Sequence, residues 1–225
     1  MSFLAYIPAR KNSKRVKKKN IKLLGGKPLI LHTLNAAFKS KLITNIYISS
    51  DDPKIKIICK KNNFEFNNYR KKKYSNGKAK IFDLIKFEYN NILKKKFEFK
   101  YLVLLQPTSP LRTFIDINKA CKLILKNNNS DCLVSTTNVS NNCDKKKIMF
   151  SDGKYLSYNM TNKFNIPRLR NGPAILIVKK KKLNNFLLGG KILDYKMPYK
   201  KSLDINTNKD FKKIRYIYKQ KHIKN

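Results

Sequence analysis

Apolar runs alternate with amphipathic runs along most of this chain, and that alternation limits its fold more than any other feature. Short apolar segments at 3–7, 43–50, 64–67, 101–105, 132–137, 174–178 and 192–197 read as strands. Helical patterns lie between them. Leu29, Ile30, Thr33, Leu34, Ala37 and Phe38 form one stripe behind Pro28. Asp51, read as the N-cap, stands with Asp52 before Pro53, and Ile55, Ile58 and Cys59 follow on an inner face. Residues 81–93 are strongly amphipathic, and Thr113/Asp116 and Thr207/Asp210 carry the capping-box spacing before two more helices. A short helix is expected at 183–188. The order predicts an α/β domain with a mostly parallel sheet and helices on both faces.

The 225 residues suffice for one such domain, so 1–225 is read as a single unit. The pattern loosens over 138–172, where Asn-rich turns surround a hairpin signal at Asp152-Gly153. That stretch is expected to be an inserted arm used in dimer contact. The four cysteines, at 59, 121, 132 and 143, form no C-x-x-C pair, which excludes a zinc ribbon and leaves reduced cytosolic thiols as the expectation. No apolar run is long enough to span a membrane, and residues 2–8 read as a core strand rather than a signal peptide. A cytoplasmic protein is expected.

The net charge of +39 points to anionic partners. The lysines, however, are scattered, with runs at 17–19, 71–73, 94–96, 145–147 and 179–182, and they accompany abundant Asn, Ile, Tyr and Phe. Lys also outnumbers Arg, whereas a dedicated nucleic-acid surface favours Arg for bidentate contacts. Compositional drift is therefore preferred, with a nucleic-acid-binding role as the alternative.

In open α/β sheets ligands sit beyond the carboxyl ends of the strands. That places weight on the loops at 8–20, 51–53 and 106–113. No G-x-G-x-x-G or G-x-x-x-x-G-K-[ST] occurs. The first loop instead gathers cations beside small residues and amides, a composition suited to a triphosphate of about four negative charges plus one divalent metal.

Ile7-Pro8-Ala9-Arg10, Ser13-Lys14, Lys19-Asn20-Ile21 and Gly26-Lys27-Pro28-Leu29-Ile30 resemble the opening of the N-acylneuraminate cytidylyltransferases, with their legionaminate and pseudaminate relatives. Ile48-Ser49-Ser50-Asp51, the ten residues Leu104 to Thr113, Asn171-Gly172-Pro173-Ala174-Ile175 and Ser202-Leu203-Asp204-Ile205-Asn206-Thr207 follow in the family's order. The resemblance covers nearly the whole chain. It implies a Rossmann-like nucleotidyltransferase fold and a reaction of CTP with an acidic nine-carbon keto sugar. The products are a CMP-sugar, destined for surface glycan synthesis, and pyrophosphate.

Carried over by position, the nucleotide site comprises Ala9, Arg10, Ser13, Lys14, Lys19, Asn20 and Arg70, with Arg10, Lys19 and Gln106 catalytic. The sugar would meet Gln106, Ser109, Arg168, Arg170 and Asn171, and Mg²⁺ would meet Asp204 and Asn206. The chain departs from the family at Arg15, where Gly is usual, at Asn206, where a second aspartate is usual, and at Thr161, where the sialic acid enzymes carry Arg. The sugar therefore stays open. A Kdo-type cytidylyltransferase shares the opening motif but lacks the ten-residue element. A basic nucleic-acid binder on a degenerate fold of this type is the alternative from another class.

Overall fold

A computed structural model describes residues 2–13, 15–76, 78–140, 143–170 and 174–223. Among them ten strands form one sheet. They are β1 (Phe3–Ala9), β2 (Ile43–Ser50), β3 (Asn68–Tyr69), β4 (Tyr101–Leu104), β5 (Cys132–Asn138), β6 (Ile148–Ser151), β7 (Tyr155–Ser157), β8 (Ile166–Leu169), β9 (Leu176–Lys179) and β10 (Ile192–Lys196). Their spatial order is β8-β6-β7-β10-β5-β9-β4-β1-β2-β3, with a further pairing of β8 to β5. The strands β3-β2-β1-β4 are parallel, as is β5 with β10, while β9 runs antiparallel between β4 and β5.

The central strands are apolar without alternation because both faces are covered. Phe3, Ala5, Ile7 and Ala9 enter one core with α1 (Leu29–Phe38), α2 (Pro53–Lys61) and α4 (Phe114–Lys126). Leu4 and Tyr6 enter the other with α3 (Ile81–Glu88), which continues through a π turn at Tyr89–Leu93. Pro8 is tolerated inside β1 because the ladder to β4 ends at the Tyr6–Leu104 pair, leaving Pro8 paired on the β2 side alone. A smaller third core joins Val16, Leu24, Leu29, Leu111, Leu203 and Ile205 to Phe211 and Ile214 of α5 (Asn208–Ile223). This core ties the 10–28 loop to the 203–207 segment.

Both expected capping boxes form. Thr113 Oγ1 and the Asp116 carboxylate exchange bonds with each other's backbone, and Thr207 and Asp210 repeat the exchange. The cap before Pro53 is Asp52, whose Oδ1 accepts from Lys54 N–H, and not Asp51. Asp51 Oδ1 accepts from Lys11 N–H at 2.7 Å and so tethers the first loop. The expected strand at 64–67 is displaced to Asn68–Tyr69, because Asn67 Oδ1 takes the Ile48 N–H that a ladder would use. The expected helix at 183–188 is a set of turns following a 3₁₀ turn at Lys180–Lys182. The run is too short to repay helix nucleation before Gly189-Gly190.

The 138–172 segment returns to the sheet. Its hairpin turns at Gly153, with φ of +102°, and β6, β7 and β8 extend the edge beyond β10. Tyr158, Met160, Phe164 and Ile166 there are exposed. No described helix is long and apolar enough to cross a membrane.

A charge of +39 repels itself at low ionic strength, and exposed pairs such as Lys96–Glu65 offset little of it. Raising NaCl from about 0.02 to about 0.5 M screens that repulsion and should raise the melting temperature by several degrees. A flat or falling melting curve series would contradict this.

Candidate active site

One cleft of about 530 Å³ opens at the carboxyl ends of β1 and β4. This is a volume suited to a nucleotide-sized ligand. The loop after β1 contributes Arg10, Ser13, Lys19 and Asn20, the turn after β4 contributes Gln106, and the approach to α5 contributes Asp204 and Asn206. Arg70, just past β3, closes the far wall with Leu84 of α3. Residues separated by nearly the whole chain thus meet because the third core pins the 203–207 segment against the first loop.

The wall is strongly cationic. Arg10, Arg15, Lys19, Arg70 and Lys80 line it, against one carboxylate among the described lining residues, that of Asp204. Lys19 Nζ donates to the Ile205 carbonyl at 2.7 Å. Burial lowers the Lys19 pKa, Asp204 pulls it back up, and Arg15 and Arg10 push it down again. Such a site takes up negative charge favourably. Asn20 Nδ2 donates to the Arg10 carbonyl at 2.9 Å and fixes the loop's backbone.

Arg15 NH2 donates to Asn206 Oδ1 at 3.0 Å, and Asn206 Nδ2 donates to Asp204 Oδ2 at 2.8 Å. The Asn206 amide is therefore oriented by a donor on one side and an acceptor on the other. Its oxygen is engaged with Arg15, so of the two expected metal ligands Asp204 is the one that faces the cleft with charge. One carboxylate beside a polyphosphate fits Mg²⁺, which commonly takes one or two carboxylates and fills its shell with phosphate oxygens and water. Among the described residues no group of three or more His, Cys, Asp or Glu side chains is placed to hold a metal ion by itself.

Other sequence-selected residues lie outside the cleft lining. Ala9 is buried at the end of β1, its carbonyl accepting from Ser50 Oγ. Ser109 is buried behind Asp204 and donates to its Oδ1 at 3.5 Å. Arg168 pairs with Asp194 at 3.1 Å and also donates to Asn138 Oδ1. Arg170 donates its backbone N–H to the Lys147 carbonyl at the foot of β6. Lys14 and Asn171 lie outside the described residues. Sequence reasoning missed Tyr74, Lys80 and Leu84 as wall residues. Leu84 falls on the inner face of α3, and nothing in its sequence setting points to a ligand.

The cytidylyltransferase family model matches residues 4–223. The chain belongs to the cytidylyltransferase family. It is 30% identical over 217 residues to an N-acylneuraminate cytidylyltransferase of Escherichia coli, covering 92% of this chain and 50% of that protein. It is 35% identical over 117 residues to a CMP-N,N'-diacetyllegionaminic acid synthase of Legionella pneumophila, covering 50% of this chain and 48% of that one. This family member therefore spans about half the length of these curated relatives. Among solved structures, a CMP:2-keto-3-deoxy-manno-octonic acid synthetase complexed with CTP superposes with a TM-score of 0.77 over 98% of this chain and all of that one. At 15% identity this similarity establishes the nucleotidyltransferase-type fold.

Proposed function

We propose that the chain activates an acidic nine-carbon keto sugar of the sialic, legionaminic or pseudaminic class with CTP. The anomeric hydroxyl oxygen forms a bond to the α-phosphorus, the bond from that phosphorus to the β-phosphate bridging oxygen breaks, and pyrophosphate leaves. The hydroxyl proton passes to solvent. The single observation that carries the reading is the convergence of Arg10, Lys19, Gln106 and Asp204 on one cleft.

In this reading Arg10, Arg15 and Lys19 neutralise the phosphates and stabilise charge that builds on the leaving pyrophosphate. Arg70 and Asn20 seat the nucleoside, and Gln106 orients the sugar for attack. The resemblance assigns Arg170 and Asn171 to the sugar, and the Arg168 guanidinium is engaged by Asp194. Asp204 would hold Mg²⁺, which when bound supplies charge neutralisation and Lewis acidity at the phosphates. The exposed Tyr158, Met160, Phe164 and Ile166 support a homodimer contact through the 138–172 arm. The buried free thiols of Cys59, Cys121 and Cys132 suit a reducing, cytoplasmic setting.

Purified protein should release pyrophosphate from CTP only with Mg²⁺ and one member of a panel of sialic, legionaminic and pseudaminic acids, and EDTA should abolish the release. No release with any of them, from folded protein, would end the enzyme reading. The charge of +39 favours one second reading, a polyanion binder. Steeply salt-dependent binding of generic DNA or RNA at physiological salt, without saturable CTP binding, would support that instead.

A further inference from the structure

Beneath the Arg70 wall lies a buried polar chain that the proposed chemistry does not use. Glu88 is 1% exposed, on the inner face of α3. Its Oε2 accepts from Tyr6 Oη and its Oε1 accepts from Ser49 Oγ at 2.8 Å. Ser49 in turn holds Arg70: its Oγ accepts from Arg70 Nε at 3.3 Å and its carbonyl accepts from NH2 at 3.1 Å. The Arg70 backbone N–H is fixed on the Ser50 carbonyl at 2.9 Å. Tyr6 is itself locked by stacking on Tyr47, with ring centroids 5.6 Å apart. Tyr6 and Ser49 belong to β1 and β2, Glu88 to α3, and Arg70 follows β3, so one hydrogen-bonded chain links four elements.

A buried carboxylate needs its lone pairs filled and a cation nearby. Burial pushes the Glu88 pKa up, while the bonds from Tyr6 and Ser49 and the charge of Arg70 pull it down. The arrangement has a direction. Ser49 has one hydroxyl proton, which goes to Glu88, so its lone pair is free to receive Arg70 Nε–H. The guanidinium, which lines the cleft, is thereby held by two bonds to one residue, Nε to the Ser49 hydroxyl and NH2 to the Ser49 carbonyl.

Resting on the reading that this cleft holds CTP, we propose that Glu88 is a positioning residue that sets base selectivity by locking Arg70 through Ser49. Arg70 is a donor without acceptor capacity. Cytosine offers adjacent acceptors at O2 and N3, whereas uracil presents an N3–H that a guanidinium repels. Discrimination by such a fork depends on its being held in one orientation, because a free side chain turns to the uracil carbonyls instead.

The test is Glu88→Gln, which keeps shape and removes the uniform acceptor edge, read as kcat/KM for CTP against UTP. The expected result is a CTP:UTP ratio lowered on the order of tenfold. The loss should lie mainly in KM for CTP, with kcat for saturating CTP little changed. Ser49→Ala cuts the same chain at one oxygen and should lower the ratio likewise, and it answers the question if Glu88→Gln does not fold. A purely structural role would reduce both nucleotides together. Wild-type discrimination preserved in the folded variants would overturn the inference alone. A wild-type chain that binds no CTP overturns the nucleotide reading and the inference with it.

Discussion

Lys19→Met should lower kcat/KM for CTP by about a hundredfold to a thousandfold while leaving the protein as stable as before or more so. The two halves of this expectation have one cause. Lys19 sits among Arg10, Arg15 and Asp204, with its ammonium donating to the Ile205 carbonyl. Burial and the two guanidinium groups depress its pKa, so the native state holds this proton less tightly than the unfolded chain does. At neutral pH both states are protonated and the penalty is fully present. As pH climbs through the lowered native value toward the usual 10.5, the unfolded chain binds more protons and the wild type regains stability. The Met variant keeps the apolar stem and loses the penalty, against about 1 kcal/mol for the missing bond to Ile205. Its melting temperature should match or exceed that of the wild type at pH 7, and the advantage should shrink near pH 10. Wild-type turnover in this variant would remove Lys19 from the chemistry. A large loss of stability would mean that the ammonium is a structural tether to Ile205.

The fold was legible where both faces of a strand are buried. Because each neighbour in the sequence enters a different core, Phe3 to Ile7 carries no charged residue, and its one hydroxyl, on Tyr6, donates to Glu88. The helices were legible from their caps, and Thr113 and Thr207 both act as their spacing requires. What failed was short and set by tertiary contacts. Asn68–Tyr69 is a two-residue ladder that no periodicity announces, and a side chain, Asn67, replaces the backbone partner beside it. Asp51 and Asp52 are equivalent in sequence. Only the fold shows that one caps a helix and the other reaches back to Lys11.

The site divides in the same way. Arg10, Lys19, Gln106 and Asp204 were readable because each sits in a motif at the end of a strand or before a helix. The Arg15–Asn206 contact joins residues 191 apart in sequence and depends on the third core closing one loop over another. Arg168 was assigned to the sugar from the resemblance alone; its pairing with the Asp194 carboxylate of β10, across the sheet edge, had no signal in the sequence. Glu88 had a signal that was passed over. Ile81, Leu84 and Ile85 define the inner stripe of α3, and the next helical step puts a carboxylate on it, where a charged group requires a partner.

Arg112→Met should cost about 2–4 kcal/mol of stability and impair turnover as well, although Arg112 lies outside the cleft lining. The residue is 2% exposed and, among the described residues, makes no salt bridge. Its charge is held by NH1 donating to the Ala174 carbonyl at 2.6 Å and NH2 donating to Thr33 Oγ1 at 2.9 Å. A longer bond of 3.4 Å runs from NH1 to the Gln106 carbonyl. Burial pushes its pKa down to about 10, with Asp116 opposing, so the buried charge itself is unfavourable. Two terms then compete in the variant. Removing the cation relieves its desolvation, but it leaves the Ala174 carbonyl and the Thr33 hydroxyl buried without their donor, at about 1–3 kcal/mol each. The second term should win, because a thioether donates nothing to either. At about 2–4 °C per kcal/mol for a chain of this size, the melting temperature should fall by roughly 4–16 °C. Thr33→Val in the same background removes one orphan, and the double variant should therefore lose less than the sum of the single losses. The loss of turnover follows from the same bonds. Arg112 ties the Gln106 turn to the start of β9, so a variant that melts early yet keeps full kcat/KM at low temperature would show that this clamp serves the core alone.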